Sequence, residues 1–100
     1  MRTVWKYPIT DGQVHVVTPP GAKLLTVGQA SGDLAVWYEV DPAFDGTEDH
    51  LLWIVPTGGE VPALSTYVAT VVDRQGYVWH VYQCLTPLLA HRILERDNPL

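Results

Sequence analysis

One hundred residues make a single domain, long enough to bury a core without disulfide or metal staples. An apolar share of 47 % beside 17 % charged residues excludes a disordered chain. The formal charge of −5 is concentrated in residues 24–73, which hold eight carboxylates and no Lys or Arg. That disfavours a nucleic-acid-binding surface and favours a cationic partner.

The apolar residues recur with a period of two along most of the chain, the signature of strands. Trp5, Tyr7 and Ile9 alternate with Lys6 and Pro8, and a turn at Asp11-Gly12 follows. Val14 and Val16 alternate with His15 up to a corner at Pro19-Pro20-Gly21, where the chain closes an edge or changes direction. Residues 23–29 and 34–41 form a first hairpin around Ser31-Gly32-Asp33, with Gly32 at the first central position of a two-residue turn. In its second arm Val36, Tyr38 and Val40 share one face, and Ala35, Trp37 and Glu39 the other. Asp41-Pro42 stops that strand.

Residues 42–49 read as a polar, acidic loop. Leu51-Leu52-Trp53-Ile54-Val55 is a continuous apolar run, expected as a central strand buried on both faces and far too short to span a bilayer. The breaker-rich stretch from Pro56 through Gly58-Gly59 to Pro62 is expected to be mobile. Residues 67–73 and 77–84 flank Asp73-Arg74-Gln75-Gly76, a type I turn closed by a left-handed glycine. Tyr77, Trp79 and Val81 line one face of the last strand and Val78, His80 and Tyr82 the other. Both faces are bulky, so this strand is expected to be central.

The tail changes period. Thr86 is a helix cap, Pro87 suits the first helical position, Leu89 and Ile93 lie four apart, and Arg92 and Arg96 favour the C-terminal end. Asn98-Pro99 terminates the helix. About ten residues are marginal as an isolated helix, so the tail must dock on the sheet or on a partner. The expected fold class is all-β, with about seven mostly antiparallel strands in a small sandwich or partly open barrel. Residues 1–84 form the β-domain and 85–100 a short C-terminal helical tail.

Reaction chemistry is hard to find. His15, His50, His80 and His91 are scattered, with no pair at a spacing that brings two imidazoles to one metal. His50 reads as part of a solvated loop and His80 as a half-buried, hydrogen-bonded residue. Ser31 and Ser65 lack a nucleophile elbow. Cys84 has no disulfide partner in the chain, which fits a reducing cytoplasm. It lies four strand residues from His80, about 13 Å, too far for proton transfer. Asp41, Asp45, Glu48 and Asp49 do not match a calcium loop, and Gly58-Gly59 leads to Glu60 rather than to a phosphate-binding Lys. Trp5, Trp37, Trp53 and Trp79 read as core or interface anchors, with a carbohydrate platform on Trp37 or Trp53 as the alternative. The first residues have no apolar stretch before a cleavage site and are not expected to be a signal peptide.

The opening Met1-Arg-Thr-Val-Trp5-Lys6-Tyr7-Pro8-Ile9 resembles the M-x-T-x-W-K-[FY]-P-[IL] start of a family of small phage and bacterial proteins. Pro20-Gly21-Ala22-Lys23-Leu24-Leu25-Thr26-Val27, the run from Val36 to Pro42 and the turn Pro56-Thr57-Gly58-Gly59 are similar to that family's middle. Gly76-Tyr77-Val78-Trp79-His80-Val81-Tyr82 is similar to its G-x-x-W-H-V-[FY] end. The resemblance covers about residues 1–84 and implies an all-β fold in a phage or prophage setting. It brings no assigned activity and no site residues. The tail lies beyond the family's usual end.

The expectation is therefore a small, non-enzymatic, acidic cytoplasmic protein without metal or cofactor. It binds another protein, plausibly inhibiting a host enzyme or defence complex. Asp41, Asp45, Glu48, Asp49, Glu60, Leu89 and Ile93 are the candidate contact residues, and neither nucleic acid nor membrane is an expected partner. The alternatives are a self-associating structural β-domain, whose helix packs across a homo-oligomer, and a small-ligand module.

Overall fold

Period-two patterning gives seven strands: β1 (Thr3–Pro8), β2 (Gly12–Thr18), β3 (Lys23–Ala30), β4 (Asp33–Val40), β5 (Glu48–Pro56), β6 (Ser65–Val72) and β7 (Val78–Cys84). One helix follows, α1 (Pro87–Asp97). The computed structural model describes residues 1–10 and 12–97. The strands form two antiparallel sheets, one in the order β1-β4-β3 and one in the order β2-β5-β7-β6. Both sheets contribute to one apolar core, so the architecture is a sandwich and not a closed barrel.

Cross-strand partners in an antiparallel pair share a face. Val36, Tyr38 and Val40 of β4 are fully buried and point inward, as the alternation predicts. Tyr38 lies opposite Trp5 of β1 and Leu24 of β3. Across the sandwich, Val14 and Val16 of β2, Leu52 and Ile54 of β5, Val71 of β6 and Val81 of β7 complete the core. Each fully buried Val, Leu or Ile is worth roughly 1.5–3 kcal/mol of burial, so the inner faces dominate stability.

The chain changes sheet three times: between β1 and β2, at the proline corner between β2 and β3, and between β4 and β5. The corner turns at Gly21, with φ at 78°. Asp11, half of the expected first turn, lies outside the described residues, as does the Asn98-Pro99 stop; Gly12 opens β2 with φ at 84°.

Three local expectations are corrected. The first hairpin places Ser31 and Gly32, not Gly32 and Asp33, at the centre of its turn, because Ala30 pairs with Asp33. Ser31 has φ at 55° and Gly32 at 88°, and two positive values match the right-handed strand twist in the type I′ manner. The acidic loop is shorter than 42–49: Glu48, Asp49 and His50 pair with Thr18, Val17 and Val16, so β5 begins at Glu48. His50 is consequently a strand residue and not part of a solvated loop. The second hairpin is as expected: Gly76 has φ at 88° and its N–H donates to the Asp73 carbonyl at 3.1 Å.

In α1 the Thr86 hydroxyl accepts from the Leu89 N–H at 3.1 Å, and the Ala90 N–H donates to the Thr86 carbonyl at 3.0 Å. Leu89, Ala90, Ile93 and Leu94 pack on Leu51, Trp53 and Cys84 of this chain's own second sheet. Leu51 and Leu52 are thus both buried, on opposite faces, and β5 is covered on both sides. Among the described residues no helix is long and apolar enough to cross a membrane.

Candidate functional site

The crossover from β4 to β5 is exposed over residues 42–47. Asp41 ends β4 and braces the loop: its Oδ1 accepts from the Ala43 N–H at 3.1 Å, its carbonyl accepts from the Phe44 N–H at 3.3 Å, and the amino terminus lies 3.6 Å away. This local bracing explains why the ring of Phe44 projects, 57 % exposed, with Asp45 exposed beside it. Glu48 closes the loop, 3.5 Å from both the Gly21 N–H and His50 Nε2. Arg2 Nε donates to Glu39 at 2.8 Å, so one neighbouring carboxylate is already paired. Met1 and Trp5 add exposed apolar surface at the same end of the first sheet.

A second cluster joins the sheet to the helix. Asp49 points to the outer face of β5, where Oδ1 is 2.7 Å from His15 Nε2 on β2 and Oδ2 is 2.6 Å from His91 Nδ1 on α1. His91 Nε2 is in turn 3.0 Å from Glu95. Hydrogen bonds from His15 and then His91 hold the Asp49 carboxyl below the usual carboxylate range, and the bond to Asp49 together with the Glu95 charge raises His91.

His50 faces the opposite way, into the sandwich, 4.8 Å ring to ring from Tyr38. The Thr18 hydroxyl lies 2.9 Å from the Pro19 carbonyl, which accepts from it, and 2.8 Å from His50 Nε2. Burial lowers the His50 pKa, against the opposing pull of Glu48 and Asp49. Burial therefore favours the neutral ring.

The expected contact residues are not all brought together. Asp41, Asp45, Glu48 and Asp49 gather at one end of the sandwich. Glu60 lies past the far end of β5, whose span from Glu48 to Pro56 is ~26 Å. Asp33 and Asp73 also sit at that far end, beside Arg74, whose guanidinium donates to the Ser31 carbonyl at 3.2 Å. Asp73 is structural: it accepts from the Trp79 indole N–H at 2.8 Å and from two turn amides. Leu89 and Ile93 are half-buried against their own sheet. Asp49 is occupied on both oxygens.

Cys84 is buried beneath α1, while His80 bonds Thr57 at 2.9 Å and Thr70 at 3.0 Å. Among the described residues no group of three or more His, Cys, Asp or Glu has metal-holding geometry. A cavity of about 250 Å³ opens beside Tyr38, His50 and Cys84, and one of about 440 Å³ lies between the two hairpin turns at the far end. Spacing gave no signal for the His15–Asp49–His91 chain, whose members are 34 and 42 residues from Asp49.

A family model described as a domain of unknown function, DUF7352, matches residues 1–87, and the chain belongs to that family. The match spans all seven strands and ends at the first residue of α1. No curated protein and no solved structure matches the chain.

Proposed function

We propose that this member of the DUF7352 family is a small non-enzymatic binding protein that grips another protein through its β4–β5 crossover. The observation that carries the reading is Phe44, held out by a braced loop between Asp41 and Asp45 in a stretch of chain without Lys or Arg. An exposed ring inside an acidic rim suits an apolar pocket bordered by Lys and Arg: the ring supplies burial and the carboxylates steer approach. The titratable clusters favour binding over catalysis, since both Asp49 oxygens are held by imidazoles and the Cys84 thiol is buried. The carboxylates equally disfavour a nucleic acid as the direct partner.

In the phage or prophage setting that the opening motif implies, the partner is a host enzyme or defence complex, bound and inhibited in the host cytoplasm. The test is capture from host lysate with the unaltered protein, Phe44→Ala and Asp45→Lys side by side. The expected result is a protein retained at low salt, weakened by added salt, and lost by tenfold or more with Phe44→Ala, as for truncation of a central aromatic anchor worth ~2 kcal/mol. Equal retention by Phe44→Ala would overturn the assignment of this contact.

A further inference from the structure

His91 has a carboxylate on each ring nitrogen. Nδ1 is 2.6 Å from Asp49 Oδ2 on β5, and Nε2 is 3.0 Å from Glu95 Oε1, one turn further along α1. An ionised carboxylate only accepts, and a neutral imidazole has a single N–H. Both contacts are ion pairs only when the ring carries two protons, and of the two the one to Asp49 crosses to the sheet while the one to Glu95 stays within the helix. On the other side of the same carboxylate His15 Nε2 lies at 2.7 Å, so Asp49 ties β2, β5 and α1 together.

Behind this clamp the helix covers a small apolar patch, where Ala90 and Ile93 lie on Leu51 and Cys84. An 11-residue helix does not persist alone in water, so docking and helix formation are one event. The domain beneath it is a complete sandwich with its own core, and the family match stops where the helix starts. The helix thus packs on a patch separate from the sandwich core.

We propose that α1 is a proton-held strap: docked across β5 and β7 while His91 is doubly protonated, released to uncover Leu51, Trp53 and Cys84 when His91 becomes neutral. The groups that govern it are Asp49 from β5, His15 from β2 acting through Asp49, and Glu95 on the helix itself. Glu48 lies 3.5 Å from His50, next along β5, and β7 brings the buried Cys84 thiol to the interface, with Tyr82 paired to Trp53 beside it.

The sign follows from linkage. The pKa of His91 is raised in the docked state, first by its bond to Asp49 and then by the Glu95 charge. The contribution of His91 to docking is fully present below the free imidazole value of ~6.5 and is lost as pH rises through the raised one. At the acid end it fades again as Asp49 titrates through its lowered value.

Amide hydrogen exchange, corrected for its intrinsic pH dependence, tests the strap alongside NMR titration of the His91 ring. Protection in α1 is expected to fall severalfold between about pH 6 and about pH 9, in step with His91, while β4 and β5 stay protected. His91→Gln should leave α1 weakly protected at every pH, and Glu95→Gln should move the release to lower pH. A wild-type helix equally protected on both sides of the His91 titration would overturn the proposal. So would a His91→Gln helix as protected at about pH 6 as the wild type.

Discussion

Tyr38 shows how one residue serves the fold at a local penalty. Its ring is fully buried, edge-on to Tyr7 at 5.7 Å and beside His50, and it fills the sandwich where the sheets approach. Among the described residues its hydroxyl has no hydrogen-bond partner, and neither has that of Tyr7. Burial accordingly pushes the Tyr38 phenol well above its ordinary range. An unsatisfied buried hydroxyl costs about 1–3 kcal/mol, whereas the ring contributes through packing. Tyr38→Phe keeps the ring and removes the orphan. It is expected to stabilise the protein by about 1 kcal/mol, read as a higher denaturant midpoint at unchanged slope. A lower midpoint would mean that the hydroxyl is satisfied in solution. Thr18 is the contrast: its hydroxyl is equally buried, yet has partners in the Pro19 carbonyl and His50. The inward placement of Tyr38 was legible from its alternation with Trp37 and Glu39. The missing partner was not, because it depends on what the opposite sheet brings near.

Among the elements, α1 depends on β5 for its docking surface. Leu51-Leu52-Trp53-Ile54-Val55 reads in sequence as a strand buried twice, and the structure supplies the two covers: the first sheet inside and α1 outside. The Thr86 cap is the local device that starts the helix. Thr86→Ala removes the acceptor for the Leu89 N–H and is expected to weaken α1 by ~1 kcal/mol. Hydrogen exchange should register that loss in α1 alone. Equal loosening of β4 would show that helix and sandwich unfold as one unit. The cap, the proline after it and the Leu89/Ile93 spacing made the helix legible. Its docking in cis was not, since an apolar stripe is the same whether its own sheet or another chain covers it. The tight turn of the first hairpin was displaced by one residue for a similar reason: cross-strand register, not the glycine alone, decides which residues sit at its centre.

For the whole molecule, the acidic balance turns out to be divided. Asp41, Asp45, Glu48 and Asp49 lie at one end, Asp33, Glu60 and Asp73 at the other, and several are already engaged by histidines, the amino terminus or the Trp79 indole. The exposed remainder around Phe44 is therefore smaller than the charge count suggests. Two histidines pull stability in opposite directions with pH. His50 is buried with a lowered pKa, so its contribution is present above the unfolded value of ~6.5 and is lost as pH falls. His91 holds the helix on the acid side and loses it as pH rises. His50→Gln is expected to make the melting temperature fall less than the wild type's between about pH 7 and about pH 5. Parallel melting curves for the two proteins would show that His50 titrates alike in both states.

Local pattern determined the seven strands, the helix, the inner face of β4 and the type of the second turn, because each follows from the period of apolar side chains and from backbone limits at Gly and Pro within a few neighbouring residues. Tertiary structure alone decided how β1, β2 and β5 join the two hairpins into sheets and which carboxylates are left free. It also decided that His15, Asp49 and His91 meet. The histidine contacts span more than 30 residues of chain, where side-chain spacing carries no memory of distance and only the packing of one sheet on the other, and of the helix on the second sheet, sets who touches whom.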